Sequence, residues 1–531
     1  MMVTATVMAQ VIMYGSYTMW LMMPYLTEVW NMSIMRAAAV VNCFDGVVAI
    51  LPLGLKIILH LIGVNSFTTD YWMLCWCGFS STLGLLLVTM STPPILSKAT
   101  GTCTKYEPKC IGHTQKTLFY TGLVLLATGM ATCLTSLRSY IFERTKKMGI
   151  KTPQHIWRIR QALVQYAPKS ALEQELVEAN SCISPTTLRT KAYHWPSEFW
   201  LYRCNGTFTV LLVVLVFWVM PWSFRLGIPV IILFMSTMLF VVKPWYQVLE
   251  PEQVSNDHTT NDSSEISIKK IAEILVYNFP MWSTFVIGGL VSSVGNTYFI
   301  EQAGQMDPKL GGWQVPTAFF LLFYKVVNLI CTKVCKDKIS SNTKIYKRIA
   351  AFALGVSILC CILAAIVEKS RLDVVKKHGL KDKTDDSIPL SMFLMLPQFF
   401  LLGILDGAYN CCVFSFFQNH TPKGLRKYLN SLMHFVLGLG ILCNVLSVYL
   451  VGKISGRGTR QSWFQHTLNR SRLDYYYWVL AVLSTINLGL YLLVALFFQS
   501  ESGSEAETER EEVEELEFKR LDWFDLLPLR Q

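Results

Sequence analysis

Asp45, Lys325 and Asp406 carry charge well inside stretches of sequence that are mostly apolar over bilayer length. An ionisable group at the centre of a membrane helix costs about 2.5–3.5 kcal/mol on insertion scales, so one that is kept pairs with another charge, faces a watery cavity, or handles a solute or proton. Lys325 shares a helical face with Asn328 and Thr332, at i+3 and i+7. Its ammonium suits an anionic solute, an internal acid, or a snorkelling position near a headgroup. Asp406, followed on nearly the same face by Tyr409 and Asn410 and preceded by Gln398, is the acid that could meet it. The expectation is a Lys325–Asp406 ion pair, structural or functional. Asp45, with Asn42 three residues before it, reads either as a substitute proton or cation site or as a hydrogen-bonded structural residue.

Neutral residues extend the polar surface. Thr6, Gln10, Tyr14 and Tyr17 fall on one helical face, Thr128, Thr132 and Thr135 on another, and Asn278, Trp282, Gly289, Ser292 and Asn296 on a third. Such stripes face the interior of a helix bundle, because an unsatisfied polar group in hydrocarbon is costly. For Ser and Thr, hydrogen-bonded helix packing is the simpler reading. The aromatic and amide members Tyr14, Tyr17, Trp282 and Asn296 suit a mid-sized organic solute held by stacking and hydrogen bonds. Arg138 reads as a headgroup contact, His434 as a packing residue, and Glu28 and Arg36 as solvated.

Enzymatic and metal chemistry have no counterpart here. The sequence holds no His-Glu-x-x-His, no Gly-x-x-x-x-Gly-Lys-Ser/Thr and no dinucleotide-binding glycine motif after a strand. Cys360-Cys361 and Cys411-Cys412 lack the spacing of a metal site. No enzyme activity, cofactor or metal is expected. Only Cys103 and Cys110, in the polar stretch TGTCTKYEPKC, look like a loop disulfide.

The elements that must position these residues follow from composition. Of 531 residues, 52% are hydrophobic and 16% charged, with mean hydropathy +0.38; a soluble domain carries about 25% charged residues. The net charge of +11 lies mainly between apolar runs, as juxtamembrane loops and not as a nucleic-acid surface. Spans are expected at 3–26, 37–62, 71–92, 117–141, 200–222 and 225–242, then at 272–295, 314–335, 349–368, 391–416, 431–451 and 477–498. This divides the chain into an N-terminal bundle (1–242, with a charged insertion at 142–199), a cytoplasmic linker (243–271), a C-terminal bundle (272–498) and an acidic tail (499–531). Six and six about a polar linker is the plan of the major facilitator superfamily. Lys and Arg favour cytoplasmic termini only slightly. Pro52, Pro229, Pro280, Pro316 and Pro397 are expected to loosen spans, and Asn31-Met-Ser and Asn469-Arg-Ser are candidate glycosylation sites in outer loops.

Longer stretches carry a family resemblance. YLTEVWNMSIMRAAAVVNCFDG, GHTQKTLFYTGLVLLATG, GIPVIILF, GNTYFIEQAGQMDPKLGGWQVP, LPQFFLLGILDG and SWFQHTLNRSRLDYYYWVLAVLSTIN resemble the plant nitrate/peptide transporter family, the plant branch of the proton-dependent oligopeptide transporters. The resemblance implies an all-α membrane protein with twelve transmembrane helices in two six-helix bundles. It implies movement of nitrate, small peptides, hormones or defence metabolites, commonly with protons, across the plasma or vacuolar membrane. Partners would be a small solute, the lipid bilayer and, where coupling exists, protons, with no nucleic acid.

The departures bear on mechanism. The family's Glu-x-x-Glu-Arg cluster precedes a Tyr-Gly pair; here Tyr14-Gly15 are present, and the cluster falls on Thr6-Val7-Met8-Ala9-Gln10. The lysine that pairs with it falls on Thr132, a nitrate-associated histidine on Ser292 and a tenth-span acid on Ser415. The segment LKIILHLIGVNSFTTDYW also lacks the family's charged gating residues. None of the relay replacements can take up and release a proton at neutral pH. The expectation is an alternating-access transporter of a small organic or anionic solute without the usual proton route. A transport-dead receptor or scaffold and a symporter using Asp45, Asp406 and Lys325 are the alternatives.

Overall fold

The computed structural model describes residues 18–62, 67–92, 111–147, 221–248, 275–341, 345–382, 386–421, 428–457 and 461–496. Gln10, Tyr14, Tyr17, Cys103, Cys110, the fifth span, the linker, the acidic tail and all but the first residues of the charged insertion lie outside them, as do the side chains of Arg138 and Asn296.

The described chain is almost wholly helical, as long apolar runs require when backbone groups must be satisfied within their own segment. The described part of α1, from Thr18, ends in a π-helical turn, Tyr25–Val29. α2 (Ile34–Leu61), α3 (Phe67–Met90), α4 (His113–Lys147) and α5 (Trp222–Val248) complete the first half. α6 (Phe279–Val294) continues through a second π turn, Gly295–Phe299, into Ile300–Gln305. It is followed by α7 (Ala318–Ser341), α8 (Tyr346–Lys377), α9 (Leu396–His420), α10 (Leu429–Ser455) and α11 (Leu473–Leu496). Among the described residues, nine helices are long and apolar enough to cross a membrane.

Several helices outrun their expected spans. α4 runs to Lys147, into the charged insertion, and α8 to Lys377, because Lys and Arg are good helix formers once the chain leaves the apolar layer. α7 begins later than expected, since Trp313–Gln314 pairs with Lys309–Leu310 in a hairpin whose Gly311 takes φ +64°. A second pair, Met306–Asp307 with Ile388–Ser391, ties the α6–α7 connection to that before α9. Pro280 and Pro397 occupy first turns, where a missing N–H costs nothing, so they start helices instead of bending them; Pro52 is the one inside α2.

With lipid as apolar as the side chains, membrane helices associate through close fit, and small residues set that fit. A Cβ on Gly440 of α10 would lie 2.4 Å from the Val286 carbonyl oxygen of α6. One on Gly46 of α2 would lie 2.6 Å from Leu442 of α10, so the two halves of the chain meet at a glycine contact. Buried amides and hydroxyls add cross-links: Asn444 donates to Ser293 Oγ and accepts from Tyr476, both at 2.7 Å, joining α10 to α6 and α11.

The helix ends that carry the 27–36 loop form the outer end. There the halves touch again: Thr27 Oγ1 donates to Glu301 Oε2 (3.1 Å), and the Ile34 amide to the His466 carbonyl (3.3 Å).

Candidate functional site

Asp406 is brought to α7 by two glycines on its own helix. Gly403 and Gly407 flank it, and a Cβ at either would lie 2.8 Å from Val327 Cβ or the Asn328 carbonyl oxygen. At that separation Tyr324 of α7 donates its hydroxyl to Asp406 Oδ2, and Ser292 of α6 lies near the same carboxylate. Asp406 is thus 8% exposed yet hydrogen-bonded. Lys325, the next residue on α7, is half-buried and acts electrostatically on Asp406 and on Asp45 of α2. Its Nζ lies 5.2 Å from the Trp20 ring of α1 and 5.0 Å from the Tyr324 ring, within cation–π range of both. One ammonium of the second half therefore faces an aromatic ring and a carboxylate of the first.

The three intramembrane charges singled out in the sequence are thus gathered in one place. Asp406 accepts a hydrogen bond from Tyr324, a hydroxyl absent from the expected pair, and Ser292 lies nearby. Ser292 was expected at the cavity; Trp20 and Tyr324 were not. Tyr324 could have been found as an aromatic hydroxyl adjoining an intramembrane lysine. Trp20 has no such local signal, since its position opposite Lys325 depends on how the halves dock. Thr332 donates to Asn328 Oδ1 at 3.4 Å, extending the α7 stripe, and Asn410 is partly exposed one residue past Tyr409.

Other expected cavity residues serve their own helices. Thr132 donates to the Gly129 carbonyl (2.8 Å) and Ser415 to the Cys411 carbonyl (2.8 Å), both buried. Thr128 and Thr135 bond backwards in the same way. Trp282 packs edge-on against Phe279, and its Nε1 donates to the Leu275 carbonyl at 2.7 Å, which places it within the C-terminal half's packing. His434 is partly buried within electrostatic range of Lys56 from α2. Among the described residues no group of three or more His, Cys, Asp or Glu side chains could hold a metal.

At the outer end, Glu301 lies beyond the span on the extension of α6. Burial pushes its carboxyl up from the usual 4.5 to about 7; the Glu28 charge adds to this, and the hydrogen bonds from Thr27 and Gln305 oppose it. Nearby, Arg371 is fully buried and donates to both Glu368 oxygens (2.8 Å each) and to Asn469 Oδ1 (2.7 Å). Asn469 in turn donates to the Leu380 carbonyl at 3.2 Å and is 5% exposed, so this sequon is spent on an internal network. Asn31 is exposed, in a left-handed backbone conformation (φ 46°).

Comparison with known proteins follows the same lines. A family model described as the POT family matches residues 252–464. The Arabidopsis thaliana protein NRT1/PTR family 5.5 is 28% identical over 548 residues, covering 90% of this chain and 93% of that one. NRT1/PTR family 6.2 of the same plant is 30% identical over 250 residues, 45% of this chain and 42% of that one. Among solved structures, the POT family transporter PepTSo superposes with TM-score 0.58 at 13% identity, over 94% of this chain and 97% of its own. A peptide transporter POT in complex with sulfate gives 0.55 at 12% identity, over 94% of each chain. The nucleoside transporter NupG gives 0.53 at 11% identity, over 93% and 98%. The fold is that of the major facilitator transporters, and along nearly its whole length the sequence is related to the NRT1/PTR proteins.

Proposed function

We propose, from this kinship with the POT and NRT1/PTR transporters, that the protein carries a small organic or anionic solute across a membrane by alternating access. The observation that carries the reading is Lys325, held by α7 between Asp406 of its own half and Asp45 and Trp20 of the other. A cation placed there binds an anionic group and links the two halves at once, so an arriving anion competes with the carboxylates and loosens their hold. Trp20 and Tyr324 supply flat faces for an organic solute, and Asn328 and Asn410 supply hydrogen bonds. A solute without negative charge would have to leave the Lys325 charge balance undisturbed, which favours anions.

The expected proton cluster falls on residues 6–10 as Thr, Val, Met, Ala and Gln, and Thr132 spends its hydroxyl on its own helix. Uptake is therefore expected to run down the solute gradient with little response to a pH gradient. A second reading has support from the same site: Asp45 and Asp406 share one cation, and a pair of carboxylates with one cation can exchange a proton as the halves part. The test is a substrate panel in proteoliposomes, with inward and zero proton gradients. Saturable uptake of an anionic solute without a gradient supports the first reading, and uptake that requires the gradient supports the second. Ligand binding with no counterflow refutes both and leaves a receptor or scaffold. Residence in the plasma or vacuolar membrane is part of the proposal.

A further inference from the structure

α11 runs from the outer end to the inner end, where it stops at Leu496. Its last turns pack on the start of α8: Tyr491 and Tyr346 are buried in one apolar cluster, and the Tyr491 hydroxyl donates to the Lys347 carbonyl at 2.9 Å. Leu496 is five residues further, about 8 Å along the axis. The chain therefore leaves α11 beside the end of α7 and the start of α8. That corner is cationic. Between residues 333 and 348 the sequence holds six Lys and Arg against one acid, Asp337. Lys333, Lys336 and Lys338 of α7 and Arg348 of α8 are exposed. The sequence that follows α11 has the opposite sign: residues 501–517 carry nine Glu and one Arg.

We propose that the acidic segment 501–517 docks on the cationic surface formed by the end of α7 and the start of α8 of its own chain. Reach allows it, since five residues separate Leu496 from Glu501, at most about 18 Å of extended chain. Charge favours it on both sides. A block of like charge repels itself, and an opposite surface relieves that repulsion. Proximity selects this occupant over an acidic partner from elsewhere, because a segment tethered by a short stretch of chain meets its site at an effective concentration of about millimolar. The competing occupant is the anionic headgroup of an inner-leaflet lipid, which the same cations would attract. Docking bears on the central site through α7: Lys333 lies eight residues, about 12 Å, along that helix from Lys325. The assignment rests on where α11 ends and is independent of what is transported.

The test is limited proteolysis of the full-length protein in phosphatidylcholine nanodiscs with a protease that cuts after glutamate, using a free peptide of residues 499–531 as the rate standard. At about 50 mM salt, cleavage within 501–517 should be at least 5-fold slower in the protein than in the peptide. At about 500 mM salt, where the screening length falls to a few ångströms, most of that protection should vanish. Lys336→Gln/Lys338→Gln/Arg348→Gln should speed cleavage at low salt 3-fold or more; all three side chains are exposed, so the variant keeps its fold. Lys376→Gln/Lys377→Gln, which removes two exposed cations at the far end of α8, should leave the rate unchanged. Equal cleavage of protein and peptide at low salt, protection that survives the triple substitution, or the same acceleration in both variants overturns the proposal. Protection lost when the bilayer contains phosphatidylserine also overturns it, and gives the surface to lipid headgroups instead.

Discussion

Replacing Lys325 with Met removes one charge and keeps most of the side chain's volume, which makes it the sharpest probe of the site. Two terms are lost. The ammonium gives up its contact with the Trp20 ring at 5.2 Å, worth about 0.5–2 kcal/mol. It also stops balancing Asp45 and Asp406, and removing one partner of a buried charge pair costs about 3–5 kcal/mol. Lys325 is half-buried, so the lower end applies, about 3 kcal/mol, or roughly a hundredfold in the equilibrium it controls. Thermal unfolding in detergent should show a clear loss for Lys325→Met. Most of that loss should return in Lys325→Met/Asp406→Asn, where Tyr324 still has a side-chain oxygen to bind. Uptake of an anionic solute should not return with stability, because the double variant has no cation to offer. The discriminating comparison is therefore stability against uptake in the same pair of proteins. If the double variant regains both, Lys325 is a structural counter-ion and the solute is bound elsewhere. If Lys325→Met is as stable as the parent and still transports, the three charges are not one electrostatic unit and the reasoning fails.

The outer closure should respond to pH through Glu301. A carboxyl raised from 4.5 to about 7 favours its neutral form in the closed arrangement. That contribution is complete below about pH 4.5 and lost as pH rises through about 7. Distances between spin labels across the outer ends should lengthen from pH 5 to pH 8, and Glu301→Gln should abolish the change; an identical change in that variant speaks against Glu301. Gly440→Val should destabilise the C-terminal half by about 1–3 kcal/mol or more, since its side chain would begin 2.4 Å from a backbone oxygen of α6. A thermal midpoint within a degree of the parent refutes this. Expressed in a secretory host with the outer end in the lumen, Asn31→Gln should remove an endoglycosidase-sensitive mass, whereas Asn469→Gln should leave glycosylation intact and cost stability through Arg371. Loss of the glycan in Asn469→Gln would show that the network opens before folding is complete.

Much of the fold was legible because hydropathy reports directly on the solvent. The expected spans that fall on described residues appear as helices, and Lys325, Asp406 and Asp45 stood out because charge is scarce in apolar runs. Helix ends were less legible. They depend on capping, on π turns such as Tyr25–Val29 and Gly295–Phe299, and on local propensity beyond the apolar layer, none of which hydropathy records. The hydroxyl stripes show why helix packing is the simpler reading for Ser and Thr. Thr132 and Ser415 can satisfy themselves on a carbonyl one turn back, so a polar face need not line a cavity. Asn469 shows the same limit in a loop: a three-residue motif says nothing of the buried arginine that consumes it.

What the sequence determined by itself was the solvent, the helical class and the short list of charges that a membrane would not tolerate without purpose. Each of these is a property of a residue and its neighbours along the chain. What only the tertiary structure decided was partnership. Tyr324 takes Asp406 because Gly403 and Gly407 let α9 lie against α7, and Lys325 faces Trp20 and Asp45 because the two halves dock across α2 and α10. Contacts between residues hundreds of positions apart depend on how helices pack, and packing is set by the shapes of surfaces that no single stretch of sequence contains.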